Sequence, residues 1–113
     1  MKDCLFCKIV AGQIPADRVL EDEDVIAFRD INPQAPVHVL VVPRRHVASL
    51  DAAAADDAAL LGRLLLAAQR VAREAGTERG YRVVNNCGSS AGQSVFHIHF
   101  HVLGGRDMRW PPG

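Results

Sequence analysis

Gly92-Gln93-Ser94-Val95-Phe96-His97-Ile98-His99-Phe100-His101-Val102-Leu103 holds three of the five histidines of this chain. From His97 to Val102 polar and apolar residues alternate strictly, the pattern of a β-strand with one face of each kind. On a strand, side chains two apart stand roughly 6.5–7 Å apart, which puts His97 and His101 about 13 Å apart. One metal ion cannot easily hold all three imidazoles in a regular strand. The three rings are therefore expected to do different jobs. A row of imidazoles is also a poor fit for a packed core, so this face is expected to be a site.

The residues just before the strand, Cys87-Gly88-Ser89-Ser90-Ala91-Gly92, form a loop of small side chains. Such a loop lets backbone N–H groups approach a phosphate and form an anion-binding nest. Ser94 adds a hydroxyl and His101 a further imidazole. A glycine-rich loop alone is a weak signal, because any tight hairpin produces one. Running straight into H-x-H-x-H, it points to attack by imidazole on phosphorus, with a covalent phosphoimidazole intermediate.

Working outward, Gly104-Gly105 ends the histidine strand, and a tail from Arg106 to Gly113 holds the only tryptophan, Trp110. Upstream, residues 80 to 86 read as a strand. Leu60, Leu61, Leu64, Leu65, Ala68, Val71, Ala72 and Ala75 recur at helical spacing, and Gly76 is a good stop. Ser49 or Asp51 could cap this long helix. Leu66 and Ala67 widen its apolar stripe, as burial against a second subunit would require. Residues 37 to 42 form a nearly continuous apolar strand interrupted by His38. Residues 18 to 21 and 24 to 29 read as two short strands around an acidic turn, and residues 3 to 12 as a short helix or turn. Short connections between strands make the sheet largely antiparallel.

Thirteen basic and thirteen acidic residues cancel, and 49% of the 113 residues are apolar. No basic excess points to nucleic acid or an anionic membrane surface. No apolar run reaches transmembrane length, and Met1-Lys2-Asp3-Cys4 opens no signal-peptide core. Three cysteines do not make an even disulfide framework, so a single domain over residues 1–113 in the reducing cytoplasm is expected.

His97-Ile-His99-Phe-His101-Val-Leu resembles the signature of the histidine triad (HIT) superfamily. Asp30-Ile31-Asn32-Pro33-Gln34-Ala35-Pro36-Val37-His38, Gly92-Gln93-Ser94 and the Trp110-Pro111-Pro112-Gly113 tail are similar to its Hint branch. The resemblance spans essentially the whole chain. It implies an α+β fold: a five-stranded, mainly antiparallel sheet with one long and one short helix. It also implies a homodimer in which two such sheets become continuous. The implied activity is hydrolysis of purine nucleoside 5′-phosphoramidates through a covalent nucleotidyl-histidine. Carried over by position, His99 is the nucleophile, and His38 lies behind it to support a relay. His101, Asn86 and backbone groups near Gln93 and Ser94 contact the α-phosphate. Asp30 resembles the ribose-binding residue, and Phe28 and Ile31 the apolar walls around the base. Cys87 and Ala91 depart from the branch's usual residues, which bears on loop geometry and leaving-group preference.

Cys4 and Cys7 form a C-x-x-C pair that no strand can precede, which argues against thioredoxin-like redox chemistry. A structural Zn²⁺ needs four N or S ligands, and His46 and His97 are the candidates to complete the set. Many bacterial members of the superfamily resemble this arrangement. The plainer alternative is two cysteines buried as small hydrophobes. Three rival functions remain: a nucleotide-binding scaffold with little turnover, a dinucleoside polyphosphate hydrolase of the same superfamily, and a metalloenzyme using His99 and His101 as catalytic zinc ligands.

Overall fold

A computed structural model describes residues 3–113. Five strands form one sheet in the order β1-β2-β3-β5-β4, with every neighbouring pair antiparallel. They are β1 (Arg18–Glu21), β2 (Val25–Arg29), β3 (Val37–Pro43), β4 (Tyr81–Val84) and β5 (Phe100–Gly104). Helix α1 (Leu5–Val10) and the long helix α2 (Ala58–Glu74) complete the α+β architecture expected from the sequence.

The two faces of the sheet carry different cores because side chains alternate along each strand. Val25, Ala27, Val39, Val41, Phe100 and Val102 face α2, whose Leu64, Ala68, Val71 and Ala72 are buried against them. Ile26, Phe28, Leu40 and Val42 face the other way and meet Phe6 and Ile9 of α1. β3 is apolar on both faces because it lies in the middle of the sheet, covered on each side.

Four expectations need correction. The histidine strand is shorter than its alternation implies: β5 begins at Phe100, and His97-Ile98-His99 lie outside the ladder. There the Ile98 N–H goes to the Val47 carbonyl at 2.6 Å, while the His97 side chain turns inward. The strand expected over residues 80 to 86 stops at Val84. The long helix does not start from Ser49 or Asp51. Ser49 caps a separate short 3₁₀ turn, Leu50–Ala52, and α2 begins only at Ala58. Ala67 belongs to the core, so the surplus apolar surface of α2 lies at Leu65 and Leu66, which are 50% and 64% exposed.

The end of α2 is held close to β5. Thr77, buried, donates its hydroxyl to the Ala72 carbonyl at 2.7 Å. Gly104 sits beneath it, where a Cβ would lie 2.6 Å from Thr77 Cγ2. This contact anchors the far end of β5 against the end of α2. Among the described residues, no helix is long and apolar enough to cross a membrane.

Candidate active site and metal centre

All three triad histidines lie on the α1 side of the sheet. That face is not left open: His97 is fully buried, and His99 is 7% exposed under the edge of Phe6, with ring centroids 5.0 Å apart. The imidazoles are thus part of a packed layer after all, in a layer built around polar groups. A buried imidazole needs partners, and here the partners determine where each proton sits.

His99 Nδ1 lies 2.9 Å from the carbonyl of His97. A carbonyl only accepts, so Nδ1 carries the hydrogen and Nε2 keeps its lone pair. His38 is read in the same way. The Gln34 backbone N–H donates to His38 Nδ1 at 3.0 Å, so His38 Nε2 carries the hydrogen. That Nε2–H donates to His101 Nδ1 at 2.9 Å, which places the His101 hydrogen on its Nε2. The His99 and His101 rings are 5.1 Å apart. A lone pair and an N–H donor are thereby presented by neighbouring rings. His38 makes its hydrogen bond to His101, and the backing of His99 comes from the His97 carbonyl and Phe6 instead.

Asp30 Oδ2 lies 3.4 Å from His38 Nε2, and its Oδ1 accepts from the Asn32 N–H at 2.9 Å. Asp30, His38 and His101 bring three ligand atoms together as a divalent cation would need. The Gln34 N–H argues against that use. It occupies Nδ1 of His38, and a neutral imidazole then has no lone pair left on Nε2 for a metal. The cluster is built to pass a hydrogen bond.

Electrostatics agree with neutral rings. Burial lowers the pKa of His38 and of His99, with Asp30 opposing the shift in both. Burial, then the charges that His99 and His38 would carry, lowers His101 to about 4.

The second group gathers at the N-terminus of α1. Cys4 caps that helix, its sulfur accepting from the Cys7 N–H at 3.2 Å. Cys7 Sγ lies 3.3 Å from His46 Nδ1 and 3.5 Å from His97 Nδ1, and Cys4 Sγ lies 3.4 Å from the same His97 nitrogen. Around a tetrahedral zinc, sulfur and nitrogen ligands are about 3.6 Å apart, given bond lengths of roughly 2.3 and 2.0–2.1 Å. His97 Nε2 donates to the Pro43 carbonyl at 2.7 Å, which leaves Nδ1 as a lone pair aimed at the sulfurs. Burial, reinforced by Cys4, pushes the Cys7 thiol up to about 11. A cation in the cluster would reverse that preference and release protons. Cys4, Cys7, His46 and His97 can hold a metal ion.

The remaining expected residues divide. Asn86 donates from Nδ2 to the Ala91 carbonyl at 2.9 Å and so sits on the small-residue loop. Gln93 is buried and fully spent: its Oε1 accepts from Gly88 N–H, its Nε2 donates to Ala48 and Val95 carbonyls, and its backbone N–H goes to Gly88. It is a strut of the loop and has no donor left for a nucleotide, contrary to expectation. Phe28 is 4% exposed against Phe6 and has little surface left for a base, whereas Ile31 is fully exposed. Ser94 is exposed and makes no side-chain hydrogen bond among the described residues. A cleft of about 580 Å³ opens on the α2 side of the sheet, along Arg18, Arg29, Val39, Val71 and Glu74, and none of the triad histidines lines it.

Sequence reasoning missed Phe6, Gln34, Pro43 and Asn85, which hold the histidines in place. Phe6 had a signal, since it sits inside Cys4-Leu5-Phe6-Cys7 and must follow those cysteines to His97. Pro43 and Gln34 act through backbone groups and leave no mark on residue type.

Comparison with known proteins places these features. The model of the HIT domain matches residues 11–108. An uncharacterized HIT-like protein of Synechococcus elongatus is 51% identical over 112 residues, covering 99% of this chain and 98% of that protein. The crystal structure of a HIT family hydrolase from Legionella pneumophila superposes with a TM-score of 0.95 at 52% identity, covering 98% of this chain and all of the other. A histidine triad protein from Clostridium difficile gives 0.92 at 43% identity, with 96% of each chain covered.

The histidine cluster makes stability depend on acidity. Unfolded His101 titrates near 6.5 and folded His101 at about 4, so between these values the unfolded chain binds more protons. Stability therefore rises with pH through that window and is lost on acidification from about 6.5 to 4. Thermal midpoints measured across this range should fall steeply toward the acid end, and His101→Gln should make the slope shallower by roughly one proton. An unchanged slope would contradict the assignment.

Proposed function

This chain belongs to the HIT domain family, and we propose that it hydrolyses purine nucleoside 5′-phosphoramidates through a nucleotidyl group on His99. The observation that carries the reading is the tautomer of His99, whose Nδ1–H is tied to the His97 carbonyl while Nε2 keeps a lone pair. A solved relative of high identity described as a hydrolase supports turnover over simple binding. A scaffold that only bound nucleotide would have no use for a deprotonated Nε2 beside an N–H donor.

His99 Nε2 attacks the α-phosphorus and forms an N–P bond. The P–N bond to the leaving amine breaks, its electron pair stays on the amine nitrogen, and a proton joins it, with Ser94 as the candidate relay. Positive charge on the His99 ring is stabilised by the His97 carbonyl at Nδ1. The His101 Nε2–H, Asn86 and backbone N–H groups near Ser94 take the phosphate oxygens, dipoles set in place before the charge moves. Water then attacks the phosphoimidazole, releases the nucleoside monophosphate and restores His99. Asp30 holds the ribose hydroxyls, and Ile31, with Phe28 behind it, forms the apolar wall by the base. His38 acts through His101: its Nε2–H keeps the His101 donor on the side of the substrate.

Zn²⁺ is the ion whose geometry suits Cys4, Cys7, His46 and His97. It would join α1 to the residue that backs the nucleophile. The partner is a second copy of the chain. β4 is an edge strand whose outer side pairs with nothing among the described residues; Tyr81 and Val83 on it, and Leu65 and Leu66 on α2, expose apolar surface. Pairing β4 with its counterpart would make one continuous sheet and remove that edge. Trp110 is 86% exposed on a tail that Arg82 holds by the Pro112 carbonyl at 3.2 Å, and in this reading it reaches toward the partner's site.

Two measurements test the catalytic reading. Adenosine phosphoramidate, aminoacyl adenylates and diadenosine polyphosphates, ranked by kcat/KM, should place the phosphoramidate first. His99→Asn should fold, bind nucleoside monophosphate and lose on the order of 10⁴- to 10⁶-fold in rate, whereas His101→Ala keeps a partial rate. A preference for dinucleoside polyphosphates, or near-normal kcat in His99→Asn, would sink the proposal.

Elemental analysis of protein purified without added metal should find close to one zinc per chain. Chelation should then lower the thermal midpoint and expose reactive Cys4 and Cys7 thiols. Structural zinc contributes roughly 10–16 kcal/mol in small peptides, and a domain with its own core loses less. Metal content near zero, with both thiols reactive from the start, would rule the site out.

Sedimentation at micromolar concentration should give a dimer, and Leu66→Arg should shift it toward monomer. A monomeric parent protein would remove the second subunit from the account.

A further inference from the structure

Between β4 and β5 the pairing runs from Tyr81↔Gly104 to Val84↔His101 and then stops. Continued in register, the next partners would be Asn85 with Phe100 and Asn86 with His99. The ladder gives way there to a side chain: Asn85 Nδ2 donates to the His99 carbonyl at 2.9 Å. That carbonyl can only accept, so the amide cannot be turned round, and Asn85 Oδ1 points the other way. Oδ1 is buried and has no hydrogen-bond partner among the described residues. An orphaned buried acceptor destabilises the folded chain. The chain retains an amide at a place where half of it is unsatisfied.

We infer that Asn85 is a positioning residue that sets the distance between His99 and the phosphate-binding loop. The next residue, Asn86, hooks the loop itself through the Ala91 carbonyl at 2.9 Å. Two adjacent amides thus grip the two halves of the site, one the backbone of the nucleophile and the other the loop before Gly92-Gln93-Ser94. The inference rests on the reading of His99 as nucleophile. A displacement of about 1 Å between reacting groups can cost some 100-fold in rate, whereas nucleotide contacts made elsewhere are untouched.

Asn85→Leu removes the donor together with the orphaned Oδ1 and leaves the His99 carbonyl as the orphan in its place. One unsatisfied acceptor is exchanged for another, so the thermal midpoint should stay close to that of the parent protein. The rate should not: kcat should fall about 10- to 100-fold while KM and the Kd for nucleoside monophosphate change less than about two-fold. Asn85→Val removes the donor and the orphaned Oδ1 with a smaller uncharged side chain, and should show the same split if Asn85→Leu folds poorly. The ¹⁵N-correlated imidazole spectrum of His99 should shift in both variants. Normal kcat in either folded variant would overturn the inference. Parent protein inactive on the whole substrate panel would remove the functional reading instead. The His99 spectrum still reads the positioning in that case, and an unchanged spectrum in Asn85→Leu would overturn it.

Discussion

His97 is gripped at three points, and both candidate sites depend on it. Its Nε2–H goes to the Pro43 carbonyl, its Nδ1 faces the sulfurs of Cys4 and Cys7, and its own carbonyl receives the Nδ1–H of His99. A buried imidazole without partners would cost several kcal/mol. With all three it becomes a rigid joint between the end of β3, helix α1 and His99. The ring of His99 cannot turn without breaking the bond to that carbonyl, and the carbonyl cannot move without disturbing the cysteine cluster. The first histidine of the alternating run therefore serves the others through its backbone.

The second chain of hydrogen bonds has a direction. It starts at the Gln34 N–H, passes through His38 and ends at the Nε2–H of His101. Each ring accepts at Nδ1 and donates at Nε2, so one backbone amide orders two protons. Asp30 stands beside the link and would favour a charge there, but burial outweighs it and the rings stay neutral. Neutrality matters because a protonated His101 beside His99 would oppose positive charge on the His99 ring.

The sheet makes this placement possible by dividing its labour between faces. The α2 face is a dry aliphatic core, and the α1 face holds Phe6, the histidines and the cysteine cluster. Breaks in strand pairing occur where the site needs them. β4 ends at Val84 and β5 begins at Phe100, so residues 85–86 and 97–99 are free to use side chains where a ladder would otherwise run.

Local residue pattern determined much of this protein. The five strands, the α2 period ending at Gly76 and the alternation of His97, His99 and His101 follow from spacing, because burial on a strand or helix imposes a period, whereas the C-x-x-C pair with His46 and His97 was legible only as a candidate ligand set. Spacing could not show that the alternation runs past its strand, since His97 and His99 alternate by sequence but find partners outside the ladder. Nor could it show that Gln93 is spent within its loop, that Phe28 is covered by Phe6, or that Ser49 caps a separate turn. The protonated nitrogen of each imidazole was equally hidden. It is decided by the His97 carbonyl and the Gln34 N–H, backbone groups common to every residue type, and only the folded chain brings them within 3.0 Å of the rings.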